Sequence, residues 1–242
     1  MIDEISLLRG EDYLLPCGIV MKHPHLRDIL LTDYSEEQYY QFIYSFCAVP
    51  GDYRVALYDG GIDCDEISDF ELFLMLYNTF TPEQTQIIFG DLDFTQFRPA
   101  RRNADGALCL VNPKTQMIID ELNFLLAVEF VRKINGMKRK NMKAGNAATK
   151  AFLIDDERIA MRFRKKKKFE SILFPLISSM VNSPGFKYNY QECMELPVFA
   201  FCDSVSRIQI IKNHDALVTG VYSGSIDGKN ISKEQFNWMS RV

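Results

Sequence analysis

Two histidines separated by one residue, His23 and His25, are the first side chains that could do chemistry. In an extended segment they would share one face, as a pair of metal ligands must. A zinc site needs a third and a fourth ligand. No H-E-x-x-H and no C-x-x-C supplies them, and the remaining histidine, His214, lies far along the chain. No metal and no other cofactor is therefore expected. The acidic cluster Asp59, Asp63, Asp65, Glu66, Asp69 and Glu71 invites a calcium reading. It fails the EF-hand pattern, because the sixth position counted from Asp63 is Ser68 where that loop requires glycine. Helix capping and solubility explain these acids better, as does pairing with the basic stretch that follows. No phosphate-binding glycine loop and no G-x-S-x-G is present. Cys202 and His214 fall on one expected helix, roughly 18 Å apart by the standard rise, too far for a dyad. No catalytic residue is assigned, and the chain reads as a non-enzyme.

The strongest local feature is a run of cations. Arg164, Lys165, Lys166, Lys167 and Lys168 are consecutive, and Lys138, Arg139, Lys140, Lys143, Arg158 and Arg162 precede them. Such a block can grip phosphates. It can equally form a solvated helix face or meet acidic protein surface. No recognition-helix or RNA-stacking pattern accompanies it, so nucleic acid ranks behind protein as a partner. Charge is segregated along the chain: residues 1–131 hold 8 basic and 22 acidic side chains, and residues 132–168 hold 14 basic and 3 acidic. Unlike faces of this kind suit docking between subunits or onto a partner.

The elements that must position these groups read as α+β, helix-dominated, with short β-hairpins in the N-terminal half and a helical C-terminal half. An acidic half spans 1–136, a basic linker 137–150 and a helical half 151–242. Residues 11–25 read as a hairpin turning at Cys17-Gly18. Leu26–Leu31 begins a helix, and Ser35 with Gln38 forms a capping box for the next. Residues 53–58 read as a short strand, and Asp69–Phe80 as a helix capped by Ser68. Residues 86–111 read as β, with a turn at Asn103–Gly106. A helix is expected from about Thr115 to Ile134. Another starts at Asp155-Asp156-Glu157 and continues to Met180, kinked at Pro175. A long helix from Pro197 to about Val221 and a short one from Ser232 to Met239 close the chain.

With 47% hydrophobic residues, 18 Phe and 11 Tyr, the chain can build a core without staples. The six cysteines have apolar neighbours and read as buried thiols of a reducing compartment. Leu122–Val128 is too short to cross a bilayer. The start Met-Ile-Asp-Glu lacks the basic character of a signal peptide. A cytosolic location follows, with no membrane. Asn230-Ile231-Ser232 matches a glycosylation acceptor, which is meaningless without secretion. Phe236 and Trp238 are candidate anchors for a partner.

Three segments taken in order, Gly18–Leu30, Tyr190–Gln209 and Asp215–Met239, resemble small proteins encoded in the tail modules of tailed bacteriophages, some described as tail assembly chaperones. The resemblance covers about sixty residues. It includes Tyr222, Ser223, Gly224, Ile226, Asp227 and the terminal Trp238. It implies binding to tail components such as the tape measure protein, with homo-oligomerisation possible, and it carries no catalytic residue. Incorporation into the virion, as a connector, ring or baseplate subunit, is the alternative it leaves open.

Overall fold

The computed structural model describes residues 2–31, 36–139, 146–163, 168–232 and 234–239. In the N-terminal half, helix α1 (Glu4–Leu8) precedes an antiparallel hairpin of β1 (Tyr13–Leu14) and β2 (Val20–Met21). Gly18 makes its turn with φ of 89°, a backbone region that side chains other than glycine disfavour. Helices α2 (Leu26–Leu30), α3 (Glu36–Phe46), α4 (Arg54–Asp59), α5 (Asp69–Leu76) and α6 (Pro82–Phe89) follow. A three-stranded antiparallel sheet of β3 (Arg98–Arg101), β4 (Leu108–Val111) and β5 (Ile118–Asp120) leads directly into α7 (Glu121–Ile134). The C-terminal half holds α8 (Ala147–Phe163), α9 (Leu173–Val181), α10 (Tyr190–Met194) and α11 (Val198–Tyr222). This is the helix-dominated α+β fold expected, with hairpins in the first half and helices in the second.

Aromatic rings fill the core. Phe73 stacks on Phe124 at 4.6 Å, and Phe94 meets Phe89 edge-on at 5.1 Å. Phe46 meets Phe89 at 5.3 Å, and Phe42 meets Phe80 at 5.4 Å. These rings come from α3, α5, α6, α7 and the turns before and after α6, so one cluster fixes most of the N-terminal half. The same apolar cluster continues through Leu173, Ile177, Met180, Cys193, Val198 and Phe201.

Polar contacts lock that joint. The Glu36 carboxylate, buried at the start of α3, accepts hydrogen bonds from the backbone N–H of Ile172 and Leu173, both at 2.8 Å, and from the Ser171 hydroxyl. It thereby supplies the negative charge that a helix start favours, from a different helix. The start of α11 docks on the segment after β2. Val198 N–H donates to the Pro24 carbonyl, Leu26 N–H donates to the Leu196 carbonyl, and His25 bridges Pro197. A Cβ at Gly10 would sit 2.7 Å from Pro197 Cγ, so this contact needs glycine there.

Several expected elements differ. Residues 53–58 form no strand: Tyr53 ends a 3₁₀ turn, which Asp52 caps by accepting from Val49 N–H, and α4 follows from Arg54. Ile87–Phe89 is helical, since the box of Thr81 and Gln84 starts a helix that runs through it. Phe94–Gln96 is a 3₁₀ turn, and only Arg98–Arg101 with Leu108–Val111 makes the expected hairpin. The helix expected from Thr115 begins at Glu121. Asn112 caps the N–H groups of Lys114 and Thr115, Gln116 adopts φ of 59°, and a hairpin results. Asp155–Glu157 lies inside α8, which starts at 147 where Asn146 caps Thr149 N–H. α8 is described as far as Phe163, and residues 168–172 are not helical. Pro175 causes no kink, because it is the third residue of α9, where its missing N–H has no helical acceptor to lose. Ser232 and Gln235 exchange reciprocal hydrogen bonds but start no helix. The expected cap Ser35 lies outside the described residues.

Replacing Glu36 with alanine removes three charge-assisted hydrogen bonds and leaves two helix-start N–H groups at a buried joint. The expected loss is about 2–3 kcal/mol of unfolding free energy in urea denaturation. The Glu36→Gln variant, which keeps an acceptor, is expected to lose less.

Candidate interaction surfaces

The acidic loop cluster meets the basic stretch within the chain. Arg139 makes a bidentate contact with Asp69 at 3.0 and 2.9 Å. Lys150 binds both Asp63 and Asp65, and Arg158 binds Asp59 and lies 5.9 Å from the centre of the Tyr58 ring. Arg54 on α4 faces Glu157 at 3.6 Å. Asp63, Cys64 and Asp65 are grouped closely enough to hold a metal ion. The Lys150 ammonium instead sits against both carboxylates, so the charge of that cluster is met by the chain itself. The hydrogen bond from Lys150 holds Asp63 below the usual carboxylate range. Burial pulls Lys150 down, yet its two acidic partners outweigh this and raise it above an ordinary lysine. The hydrogen bond to Asp69 likewise raises Arg139.

Of the basic residues singled out in the sequence, Arg139 and Arg158 are thus engaged by acids of the same chain. Lys138, Arg162 and Lys168 are exposed. Lys140, Lys143, Arg164, Lys165, Lys166 and Lys167 lie outside the described residues. Phe236 is half-buried, and Trp238 is 46% exposed, with its carbonyl accepting from Arg207 at 3.1 Å.

The histidines belong to the joint. His23 is buried, and its Nε2 accepts from Phe199 N–H at 3.4 Å, which puts the ring proton on Nδ1. Burial, reinforced by His25, lowers its pKa to about 4. His25 starts α2, where Asp28 accepts from its N–H at 2.8 Å. His214 lies beside Asp215 on α11, the same continuous helix as Cys202. Burial raises Cys47 to about 12 and both Cys193 and Cys202 to about 11. These thiols stay protonated at neutral pH and are poor nucleophiles there. A cleft of about 480 Å³ between the end of α3 and the end of α7 carries Arg132 and Arg139. Arg132 donates to the Cys47 carbonyl at 2.6 Å, and Arg139 is held by Asp69.

Among the described residues two apolar helical surfaces face outward, and sequence periodicity singles out neither. The first is α11. Of its 25 residues only Val198 and Phe201 are buried. Ile208, Ile210, Ile211, Leu217, Val218 and Val221 are half-buried, and Tyr222 is 89% exposed. The segment after the helix folds back along it. Ile226 packs on Gly220, residue 228 lies against Val221, and Trp238 reaches Arg207. The second is α8, whose protein-facing side is largely charged. Lys150, Glu157 and Arg158 make its ion pairs and Ile154 is buried, while Phe152 (68% exposed), Ile159 (54%) and Phe163 (80%) point outward.

Residues 165–242, the module of α9 to α11 and the returning segment, match the family described as YomV second domain. YomV is a phage-associated protein, and residues 165–242 are the part of the chain that is similar to its second domain. No curated protein and no solved structure matches the chain. Among the described residues no helix is long and apolar enough to cross a membrane.

Two outcomes follow from this geometry. The folded pKa of His23 lies below its unfolded value, so the unfolded chain takes up the extra proton. Stability is full above about pH 6.5 and falls progressively as pH drops towards 4, by an amount on the order of 2–3 kcal/mol at the acid end. In His23→Gln that slope is expected to flatten in urea titrations across this window. Because ion pairs hold α8 against the rest, 1 M salt should speed hydrogen exchange in 147–163 more than in α7, read by mass spectrometry.

Proposed function

We propose that this phage-associated protein performs no chemistry of its own and binds other phage proteins during tail assembly, in the manner of an assembly chaperone. The carrying observation is α11. A 25-residue helix is about 38 Å long. Its base is fixed in the core, and the remaining shaft carries apolar residues on every side, interspersed with Arg207, Lys212 and Asp215, and is only half-covered by its own chain. A helix with apolar residues on all sides is stable in water when something buries it. A partner chain laid against the shaft, anchored at Tyr222 and Trp238, would supply that cover, and large aromatic side chains are the usual anchors of such contacts. The YomV second-domain match spans this same module, which supports a phage context for the partner. The raised thiol pKa values support the non-enzymatic reading, because none of these cysteines is activated as a nucleophile. The resemblance to tail-module proteins supports a tail component, such as the tape measure protein, as the client, met in the host cytoplasm. Nucleic acid is the weaker reading, since Arg139 and Arg158 are already paired with carboxylates.

Tagged protein captured from infected cells, compared with purified particles by mass spectrometry, separates these readings. The expected result is a tail protein in the captured material, none of this chain in particles, and at least tenfold weaker capture for Tyr222→Glu with Trp238→Ala. Fixed stoichiometry in particles would make it a structural subunit. Binding to DNA or RNA with a steep salt slope, and no captured protein, would overturn the proposal.

A further inference from the structure

We propose that α8 is a self-association surface: two copies of this chain pair through antiparallel α8 helices about a two-fold axis at Ile159. At about 100° per residue, Phe152, Ile159 and Phe163 fall within roughly 40° of one another. The opposite side of the helix, with Lys150, Ile154 and Glu157, is committed to the body of the protein. The exposed stripe is therefore the reverse of an ordinary surface helix, which buries its apolar side and shows its charges.

The sequence of the helix says what covers it. One flank of the stripe carries Asp155 and Arg162, seven residues apart and both exposed; within its own chain Asp155 has only a loose 3.9 Å contact with Arg158. In antiparallel helix pairs, like flanks of the two copies face each other. Setting Asp155 opposite Arg162 of a second copy also sets Arg162 opposite the second Asp155, so the contact is isologous. The same register brings Ile159 against its own copy at the axis. Phe163 of each copy then lies between the levels of Phe152 and Asp156 on the other, where its ring covers Phe152. One alignment thus satisfies both charges and all three apolar residues. The exposed parts of the stripe amount to about 400–500 Å² per copy, roughly half of what a standard stable interface buries. The dimer is accordingly expected to be reversible, with micromolar dissociation. This surface is separate from the α11 shaft, so self-association and client binding fail independently.

Sedimentation equilibrium of the full chain tests this. The wild type is expected to pass from monomer to dimer as concentration rises through the micromolar range, and Ile159→Asp to stay monomeric. Asp155→Arg alone and Arg162→Asp alone should each raise the dissociation constant at least tenfold. The double swap should restore it to near the wild-type value, which a surface built for a different partner would not do. As an independent readout, Ile159→Cys is expected to form a disulfide-linked dimer on mild oxidation, whereas Met161→Cys, on the other side of the helix, is not. A wild type monomeric at ~100 μM, a dimer indifferent to Ile159→Asp, or a double swap no better than the single changes would each overturn the proposal.

Discussion

The architecture depends on one joint, where the start of α11 meets the chain just after β2. There, backbone hydrogen bonds link Pro24 to Val198 and Leu26 to Leu196, and Gly10 makes room for Pro197. His23 accepts from Phe199 N–H, and Arg27 pairs with Glu195 at 2.6 Å. A little further off, Glu36 caps α9 from α3. Buried backbone groups must find partners, so a joint this rich in main-chain bonds admits only one docking of the C-terminal module. It also limits how much of α11 the core can reach. Burial stops at Phe201, and the helix runs on for a further 21 residues. The under-covered shaft is thus a consequence of where the helix is anchored.

Electrostatics plays a local role. The segregation of acid and base along the chain suggested surfaces held ready for a partner. Part of it closes internally, because Asp59, Asp63, Asp65 and Asp69 meet Arg158, Lys150 and Arg139. These contacts seat α8 with its charged side inward. Exposed ion pairs contribute little each, typically under about 1 kcal/mol. Their consequence is orientation: the apolar side of α8 is turned to solvent and offered to whatever binds there.

What the sequence shows on its own follows the range of the forces involved. Local signals read correctly. Ser68 caps α5, Gly18 turns the first hairpin, α7 stops at Ile134 and α11 runs from just after Pro197 to Tyr222. Errors arose where a cap or turn overrode β propensity, as at Asp52 before α4, or where a hairpin stood beside a helix start, as at Asn112 and Gln116. The acidic cluster was recognised as a possible partner of the basic linker, and Arg139 and Lys150 are where that pairing occurs. Long-range roles were invisible: nothing in the types of Glu36 and Ser171 announces that they meet, 135 positions apart. Two of the segments that carry the phage tail resemblance, Gly18–Leu30 and Tyr190–Gln209, are the two sides of the joint.

Hydrogen exchange along α11 in the protein alone tests the central claim most directly. An anchored base and an under-covered shaft should give amides near Val198–Cys202 that exchange only with global unfolding, and amides near 210–222 that exchange orders of magnitude faster by local opening. Uniform protection over the whole helix, at the global unfolding free energy, would mean that the chain already covers its own shaft and has no need of a partner there.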